Sequence, residues 1–275
     1  MNRHYVFAIV APIFWSLAGV IVKSLEQATE WQINFYRCGS LALWVALVIL
    51  IRYRRSVATV IRAGGFQALF AGVLLGGAMV CNVIALKYTT VAVAVLVMAA
   101  APIFAALLGR VFLSETVGIR GWISVALGMV GLTIMVGGRL QLGDTLGVAV
   151  AILGIMFFGA YTVSLRVGKM LDMTPAVFYG GVMSFVTGVG LAIPLVEAFW
   201  CAFLGIVQLG IGSVLFALAA QTVPAVQLTV FALGEPLLAP LWAWVGIGEV
   251  PSGATMIGGA VLFSALGFQV SAKHS

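Results

Sequence analysis

Ten apolar runs dominate the sequence, each close to the length that a helix needs to cross a lipid bilayer. Because a helix rises about 1.5 Å per residue, roughly 20 apolar residues span the hydrocarbon layer. With 63% apolar and only 8% charged residues, the 275-residue chain has little left for a soluble domain. We therefore predict an all-α membrane protein with ten transmembrane helices, at residues 5–22, 31–51, 66–86, 91–112, 119–137, 146–165, 175–195, 200–220, 224–245 and 254–271.

The placement of lysine and arginine predicts how these spans are oriented. Cytoplasmic segments of membrane proteins carry an excess of both residues. If the N-terminus is cytoplasmic, the opposite side receives only Lys23, Lys87 and Arg139, and the other basic residues outside the spans are cytoplasmic. An even number of spans then makes both termini cytoplasmic. The net charge of +6 therefore reflects orientation and attraction to anionic lipid rather than binding to nucleic acid.

Pairs of residues at two constant offsets indicate an internal repeat. The first offset is 134 residues and the second is 143: Pro102 with Pro236 and Glu115 with Glu249 have the first, whereas Trp15 with Phe158, Lys23 with Arg166 and Tyr36 with Tyr179 have the second. Each half holds five spans, an odd number, so the second half enters the membrane from the opposite side. We predict two inverted five-helix repeats, residues 1–140 and 141–275, that form one membrane domain of the kind found in secondary transporters.

The offset decreases along the chain because the second half is shorter than the first. The missing length lies between the second and third spans of that half. The predicted spans leave residues 52–65 between spans 2 and 3 but only residues 196–200 between spans 7 and 8. The sequence is compatible with a shorter loop and with residues missing from that loop.

Prolines recur at equivalent places in spans 4 and 9. A proline inside a helix removes one backbone hydrogen bond, a defect that a packed interior or a watery cavity tolerates but lipid does not. We expect Pro102 in span 4, with Pro236 and Pro240 in span 9, to bend these helices near the membrane midplane. A substrate cavity or gate is expected there; a kink that only improves packing is the alternative.

Glu235 is the acidic residue that the predicted spans place deepest in the membrane. It lies eleven residues into span 9, about 16 Å along the helix, where a charge costs roughly 2.5–3.5 kcal/mol on insertion scales. We expect it to face the interior and either to bind a substrate ammonium group or to take up a proton coupled to export. A local pair or a protonated side chain is the structural alternative. For Arg37 in span 2 we expect snorkelling to the outer surface, with contact to a substrate carboxylate as the second option.

Other polar, aromatic and thioether side chains inside the spans are further candidates for substrate binding. The alternatives are hydrogen bonds between helices for the amides, placement at the membrane interface for the aromatic residues, and packing for methionine. These candidates are Trp15, Asn82, Met98, Tyr161, Gln208 and Gln227.

Two related segments extend the similarity of the halves to a known family. These segments are FLSETVGIRGWISVALGMVGL at 112–132 and its counterpart VGIGEVPSGATMIGGAVLFSALG at 245–267. Together with the arrangement of ten helices in two inverted fives, they resemble EamA-type members of the drug/metabolite transporter superfamily. The resemblance covers essentially the whole chain and is strongest to bacterial exporters of aromatic and neutral amino acids. Span 9 has Gly234-Glu235-Pro236 where span 4 has Ala100-Ala101-Pro102, so a role for Glu235 belongs to one half only.

This resemblance implies a secondary transporter of the bacterial cytoplasmic (inner) membrane. It implies export of small metabolites, aromatic and other neutral amino acids first, by alternating access, without a cofactor or metal and as a monomer or weak homodimer. Within the superfamily, a drug, a sugar or a nucleotide sugar is the alternative substrate.

The motifs of other function classes are missing from the sequence. It has no Walker-type phosphate loop, no HExxH pair and no metal-like spacing of its three cysteines. We therefore expect neither a primary pump nor an enzyme. The alternatives from another class are a channel and an intramembrane enzyme, for which Glu235 and Arg37 are the strongest candidate groups.

Overall fold

The computed structural model describes residues 3–53, 57–88, 94, 97, 100–114, 117–136, 145–247 and 252–271, and all regular secondary structure in them is helical. Five helical stretches are long and apolar enough to cross a membrane, and five shorter stretches are also apolar. The ten stretches follow the order of the ten predicted runs: Arg3–Ser24, Glu30–Arg52, Arg62–Tyr88, Thr145–Val167 and Leu195–Ala219 are the long ones, and Ala101–Leu113, Ile119–Ile134, Thr174–Val186, Ala225–Leu238 and Gly253–Phe268 are the short ones.

The individual helices are more numerous than the predicted spans because several runs are interrupted. In chain order they are α1 (Arg3–Trp15), α2 (Ala18–Ser24), α3 (Glu30–Tyr53), α4 (Val57–Tyr88), α5 (Ala101–Leu113), α6 (Ile119–Val136), α7 (Thr145–Val167), α8 (Thr174–Val186), α9 (Leu195–Phe203), a π-helix (Leu204–Ile211), α10 (Gly212–Ala219), α11 (Ala225–Ala232), α12 (Gly234–Ile247) and α13 (Gly253–Ser271). Gly65 kinks α4 with a positive φ of 59°, a conformation that favours glycine.

Two predicted spans are broken near their middle. The first run is divided between α1 and α2, and the ninth between α11 and α12 at Leu233. At both breaks a backbone N–H bonds three residues back instead of four: Leu17 to Phe14 at 3.3 Å, and Leu233 to Val230 at 3.1 Å. Because Pro236 has no N–H to donate to the carbonyl of Ala232, a continuous α-helix cannot pass this point unchanged.

The prolines of the repeat lie at helix starts rather than in helix middles. Pro102 occupies the first turn of α5, and Pro236 is the third residue of α12. In the first turn of a helix the missing N–H has no intrahelical partner to lose. Pro240 lies inside α12.

The connection between the seventh and eighth runs differs from the prediction. Because α8 ends at Val186 and α9 begins at Leu195, residues 187–194 form the connection and the predicted loop 196–200 is helical. The predicted loop position was wrong because the connection carries no charged residue. Its hydropathy therefore does not distinguish it from the apolar run before it. Pro194, at the N-cap of α9, marks its true end.

Helices pack closely where glycine removes the side chain between them. A Cβ on Gly76 of α4 would lie 3.0 Å from the carbonyl oxygen of Gly180 on α8, and one on Gly131 of α6 would lie 2.8 Å from that of Gly258 on α13. Such contacts bring backbones together in membrane bundles. The principal pairings are α4 with α7 and α8, α3 with α4, α8, α9 and the π-helix, α5 with α7 and α11, α1 with α10, α11 and α12, and α6 with α13.

We predict that Gly205→Ala destabilises the protein more than a control glycine substitution does. A Cβ on Gly205 of the π-helix would overlap the carbonyl oxygen of Arg37 and the hydroxyl of Ser40 on α3. Overpacking of this kind costs about 1–3 kcal/mol, measurable as a lower unfolding temperature in detergent.

The matched control is Gly109→Ala in α5, where the added Cβ meets no atom of the described residues within 4 Å. We expect this control to leave stability unchanged or to raise it, because alanine favours helix more than glycine does. Equal stability of the two variants would contradict the close contact between the π-helix and α3.

Candidate functional site

A cavity lies between the first half of the described chain, α1 to α6, and the second half, α7 to α13. The space open to the centres of water molecules is about 110 Å³, several times the roughly 10–15 Å³ that one water needs. Its walls are mainly apolar, with Leu75, Met79, Ile155 and Phe158 among them. Its polar and indole groups come from both halves: Trp15, Arg37, Asn82, Gln208, Ser213 and Glu235.

The cavity brings together part of the predicted set of substrate-binding residues. Trp15, Asn82, Gln208 and Glu235 line it, although they lie on four different stretches of the chain. Met98 lies outside the described residues. Tyr161 and Gln227 are not among the lining residues: Tyr161 is fully buried beside Phe216, and Gln227 accepts a hydrogen bond of 3.1 Å from the hydroxyl of Tyr5.

The predicted kink residues stand next to the cavity in sequence. Ala101 and Glu235, which precede Pro102 and Pro236, both line it. The side chain of Pro240 lies outside the described part of the structure. A role of these three prolines in gating therefore stays a prediction.

Arg37 lines the cavity, although its position near the start of the second predicted span favours exposure at the outer surface. Its side chain is 1% exposed and lines the cavity, so the expectation that it snorkels to the outer surface was wrong. The reason is local packing: the face of α3 that carries Arg37 lies against the π-helix, whose Gly205 has no side chain to keep α3 away.

Among the described residues, the guanidinium group of Arg37 has one hydrogen-bond partner, and its other two donor nitrogens are buried without an acceptor. Its Nη2 donates to Oε1 of Gln208 at 3.0 Å. Within the described part of the chain, its Nε and Nη1 have no hydrogen-bond acceptor. Since a buried donor without an acceptor is costly, this group favours an anionic or carbonyl partner in the cavity.

Glu235 brings a carboxylate to the same cavity. It is the second residue of α12, directly after the break at Leu233, where a negative charge also benefits from the helix dipole. Among the described residues, Glu235 and Arg37 form no ion pair at 4.0 Å or less. The cavity therefore presents a cation and a carboxylate that are not directly paired with each other.

The broken regions of the first and ninth runs contact each other beside this carboxylate. A Cβ on Gly234 would lie 3.3 Å from the Cβ of Pro12 on α1. In addition, Nε1 of Trp242 on α12 donates to the hydroxyl of Ser16, in the break between α1 and α2, at 2.7 Å. The two interruptions are thus joined by direct packing and one hydrogen bond.

Aromatic rings form one wall of the cavity. Trp15 and Phe158 meet edge to face with centroids 5.8 Å apart, and Phe216 packs on both at 5.0 and 5.5 Å. Trp15 and Phe158 are also partners at the 143-residue offset in the sequence. The wall offers aromatic surface for packing against an apolar or flat group.

Part of the chain matches a family of known transporters, and a larger part matches one curated relative. Residues 2–137 match the EamA-like transporter family. The chain is 30% identical over 186 residues to the uncharacterized transporter YdfC of Bacillus subtilis (strain 168), a match that covers 64% of this chain. The chain spans 61% of the length of that relative.

A solved crystal structure shares the fold. It superposes with a TM-score of 0.83 at 17% sequence identity and covers 99% of this chain and 98% of the other chain. At this level of identity the likeness shows the fold alone.

We predict that Ser16→Ala lowers stability because it removes the acceptor of the Trp242 indole. A partly buried indole N–H that loses its partner costs up to about 1–3 kcal/mol, to be measured by thermal unfolding of the purified protein.

Ser24→Ala is the matched control. Ser24 and Ser16 both donate to the carbonyl three residues before them, and the Trp242 contact is made by Ser16. We expect the control to change stability by less than about 0.5 kcal/mol. Equal losses in the two variants would contradict the link between the two breaks.

Proposed function

We propose that this chain, whose residues 2–137 match the EamA-like transporter family, is a secondary transporter that exports small metabolites, in particular aromatic and other neutral amino acids, across the bacterial cytoplasmic membrane by alternating access. The observation that carries the proposal is the cavity between the two halves, in which Arg37 and Glu235 lie beside an apolar and aromatic wall. The family match supports transport rather than enzymatic chemistry.

In the proposed architecture the ten apolar stretches all cross the membrane. They form two inverted repeats, residues 1–140 and 141–275, with both termini in the cytoplasm. The helix pairings support this arrangement, because exchanging the halves turns each principal pairing either into another observed pairing or into itself. The pairing of α4 with α7 becomes that of α10 with α1, and the pairing of α4 with α8 becomes that of the π-helix with α3.

Three further pairings map onto themselves when the halves are exchanged: α3 with α8, α5 with α11, and α6 with α13. This is the pattern expected of helices that lie beside a two-fold pseudo-axis in the membrane plane. The contact between Trp15 and its repeat partner Phe158 supports the same axis, since equivalent residues meet where an axis passes between them.

An amino acid zwitterion matches the groups in the cavity. The free donors of Arg37 suit a carboxylate, and the carboxylate of Glu235 suits an ammonium group. Trp15, Phe158 and Met79 provide surface for an aromatic or aliphatic side chain. A neutral sugar would leave both charges unmatched, so the charges favour amino acids over the sugar alternative.

The breaks beside the cavity suit a transporter that changes shape. Helix interruptions and prolines are places where a helix changes direction, and hinges of moving proteins lie at such element ends. In our proposal, the breaks at Ser16–Leu17 and at Leu233 let the bundle open the cavity first to the cytoplasm and then to the outside.

Transport by the purified protein in liposomes tests this proposal. Radiolabelled phenylalanine, tryptophan, tyrosine and leucine are supplied with and without a pH gradient, and we expect saturable uptake of at least one of them. Absence of saturable uptake for every amino acid tried would refute the amino-acid assignment.

We predict that Glu235→Gln abolishes transport or makes it independent of the pH gradient, because it removes both the negative charge and the proton-binding group from the cavity. The measurement is the initial rate of uptake at several gradients. Glu26→Gln is the control, since Glu26 is an exposed carboxylate between α2 and α3, and we expect it to transport like the unmodified protein. Full gradient-dependent transport by Glu235→Gln would remove this residue from the mechanism.

A further inference from the structure

Gln208 uses both ends of its amide to join two neighbouring elements. Its Oε1 accepts the hydrogen bond from Nη2 of Arg37 at 3.0 Å, and its Nε2 donates to the carbonyl oxygen of Trp15 at 3.3 Å. The side chain is 2% exposed. Both ends of the amide are therefore satisfied, which fixes the orientation of the group in the cavity wall.

The Trp15 carbonyl is available because α1 ends at that residue. The last carbonyls of a helix lack donors from a following turn, and inside a membrane protein these carbonyls need a donor from another element. Gln208 supplies that donor from the π-helix.

The π-helix determines where this amide lies. A π-helical segment inserts an extra residue into the turn and is common at functional sites. Here it carries Gly205, which contacts the backbone of Arg37 directly, and, three residues later, Gln208, which contacts the Arg37 side chain. The same segment therefore holds both the backbone and the guanidinium group of Arg37.

We propose that Gln208 is the positioning residue that makes the cavity select substrates with a carboxylate. The inference rests on the proposed function and deepens it. Because the Gln208 amide is neutral, it holds one nitrogen of the Arg37 guanidinium without neutralising its charge. The orientation that it imposes leaves Nε and Nη1 of Arg37 for the substrate carboxylate.

A glutamate at position 208 would act differently from glutamine. It would keep an acceptor for Arg37 but would neutralise the guanidinium charge and lose the donor to the Trp15 carbonyl. A methionine would keep the volume of the side chain and lose both hydrogen bonds. Both substitutions are therefore expected to weaken recognition of the carboxylate while leaving Glu235 to bind the ammonium group.

The test compares two ligands that differ only at the carboxylate. Binding of phenylalanine and of phenylalaninamide to the purified full-length protein is measured by isothermal titration calorimetry. We expect the unmodified protein to favour phenylalanine, and Gln208→Met to weaken phenylalanine binding roughly tenfold or more, the loss typical of a misplaced hydrogen bond to a charged group. Phenylalaninamide binding is expected to change by less than about threefold.

Gln67→Met is the matched control. Gln67 also joins two helices, because its Nε2 donates to the carbonyl and the hydroxyl oxygens of Ser164 at 2.9 and 3.0 Å, but it does not line the cavity. We expect this variant to keep the preference of the unmodified protein for phenylalanine. Should Gln208→Met not yield folded protein, Gln208→Glu gives the same comparison with the same expected loss of preference.

Two results would overturn the positioning role: an unchanged preference for phenylalanine in the folded position-208 variant, or an equal loss of both ligands. A third result concerns the proposed function itself. If the unmodified protein binds neither ligand, the amino-acid assignment fails before any variant is measured, and the positioning role fails with it.

Discussion

The hydrogen bond between Arg37 and Gln208 connects the chemistry of the cavity to the fold. A guanidinium group inside an apolar bundle cannot give up its charge, so it needs partners that the protein or a ligand supplies. The protein supplies one of them from the π-helix, and the same glutamine satisfies the carbonyl at the end of α1. The charged group, the broken helix and the irregular helix therefore depend on one another.

The same constraint explains where the irregular backbone lies. In a membrane-spanning bundle every backbone polar group must find a partner inside the protein or in a water-filled space. The interruptions at Ser16–Leu17 and Leu233 and the π-helix all adjoin the cavity or pack on each other beside it. The long helices α4 and α7 also line the cavity, and α4 meets α8 through small residues such as Gly76 and Gly180.

The sequence predicted the features that depend on composition and period. The order of the apolar runs and the placement of Glu235 facing an internal cavity follow from hydropathy and the cost of a charge in an apolar bundle. The burial of Arg37 could not be predicted from the sequence. Whether this side chain is buried or reaches the outer surface depends on which face of α3 meets a neighbouring helix. That face is determined by Gly205, in a distant part of the chain. The connection at 187–194 was missed because it is as apolar as the helices beside it. The π-helix has no signature in hydropathy, since an extra residue in one turn does not change the apolar character of the run.

The central claim is that two similar bundles face opposite ways across the membrane and meet at the cavity. Its most direct test uses single cysteines at two exposed positions, Glu26→Cys after α2 and Met170→Cys after α7, in a protein without the native cysteines, and a maleimide that does not cross membranes. We predict that Glu26→Cys is labelled from the outside and Met170→Cys from the cytoplasmic side, because the first and sixth spans run in opposite directions. Labelling of both positions from the same side would contradict the inverted arrangement.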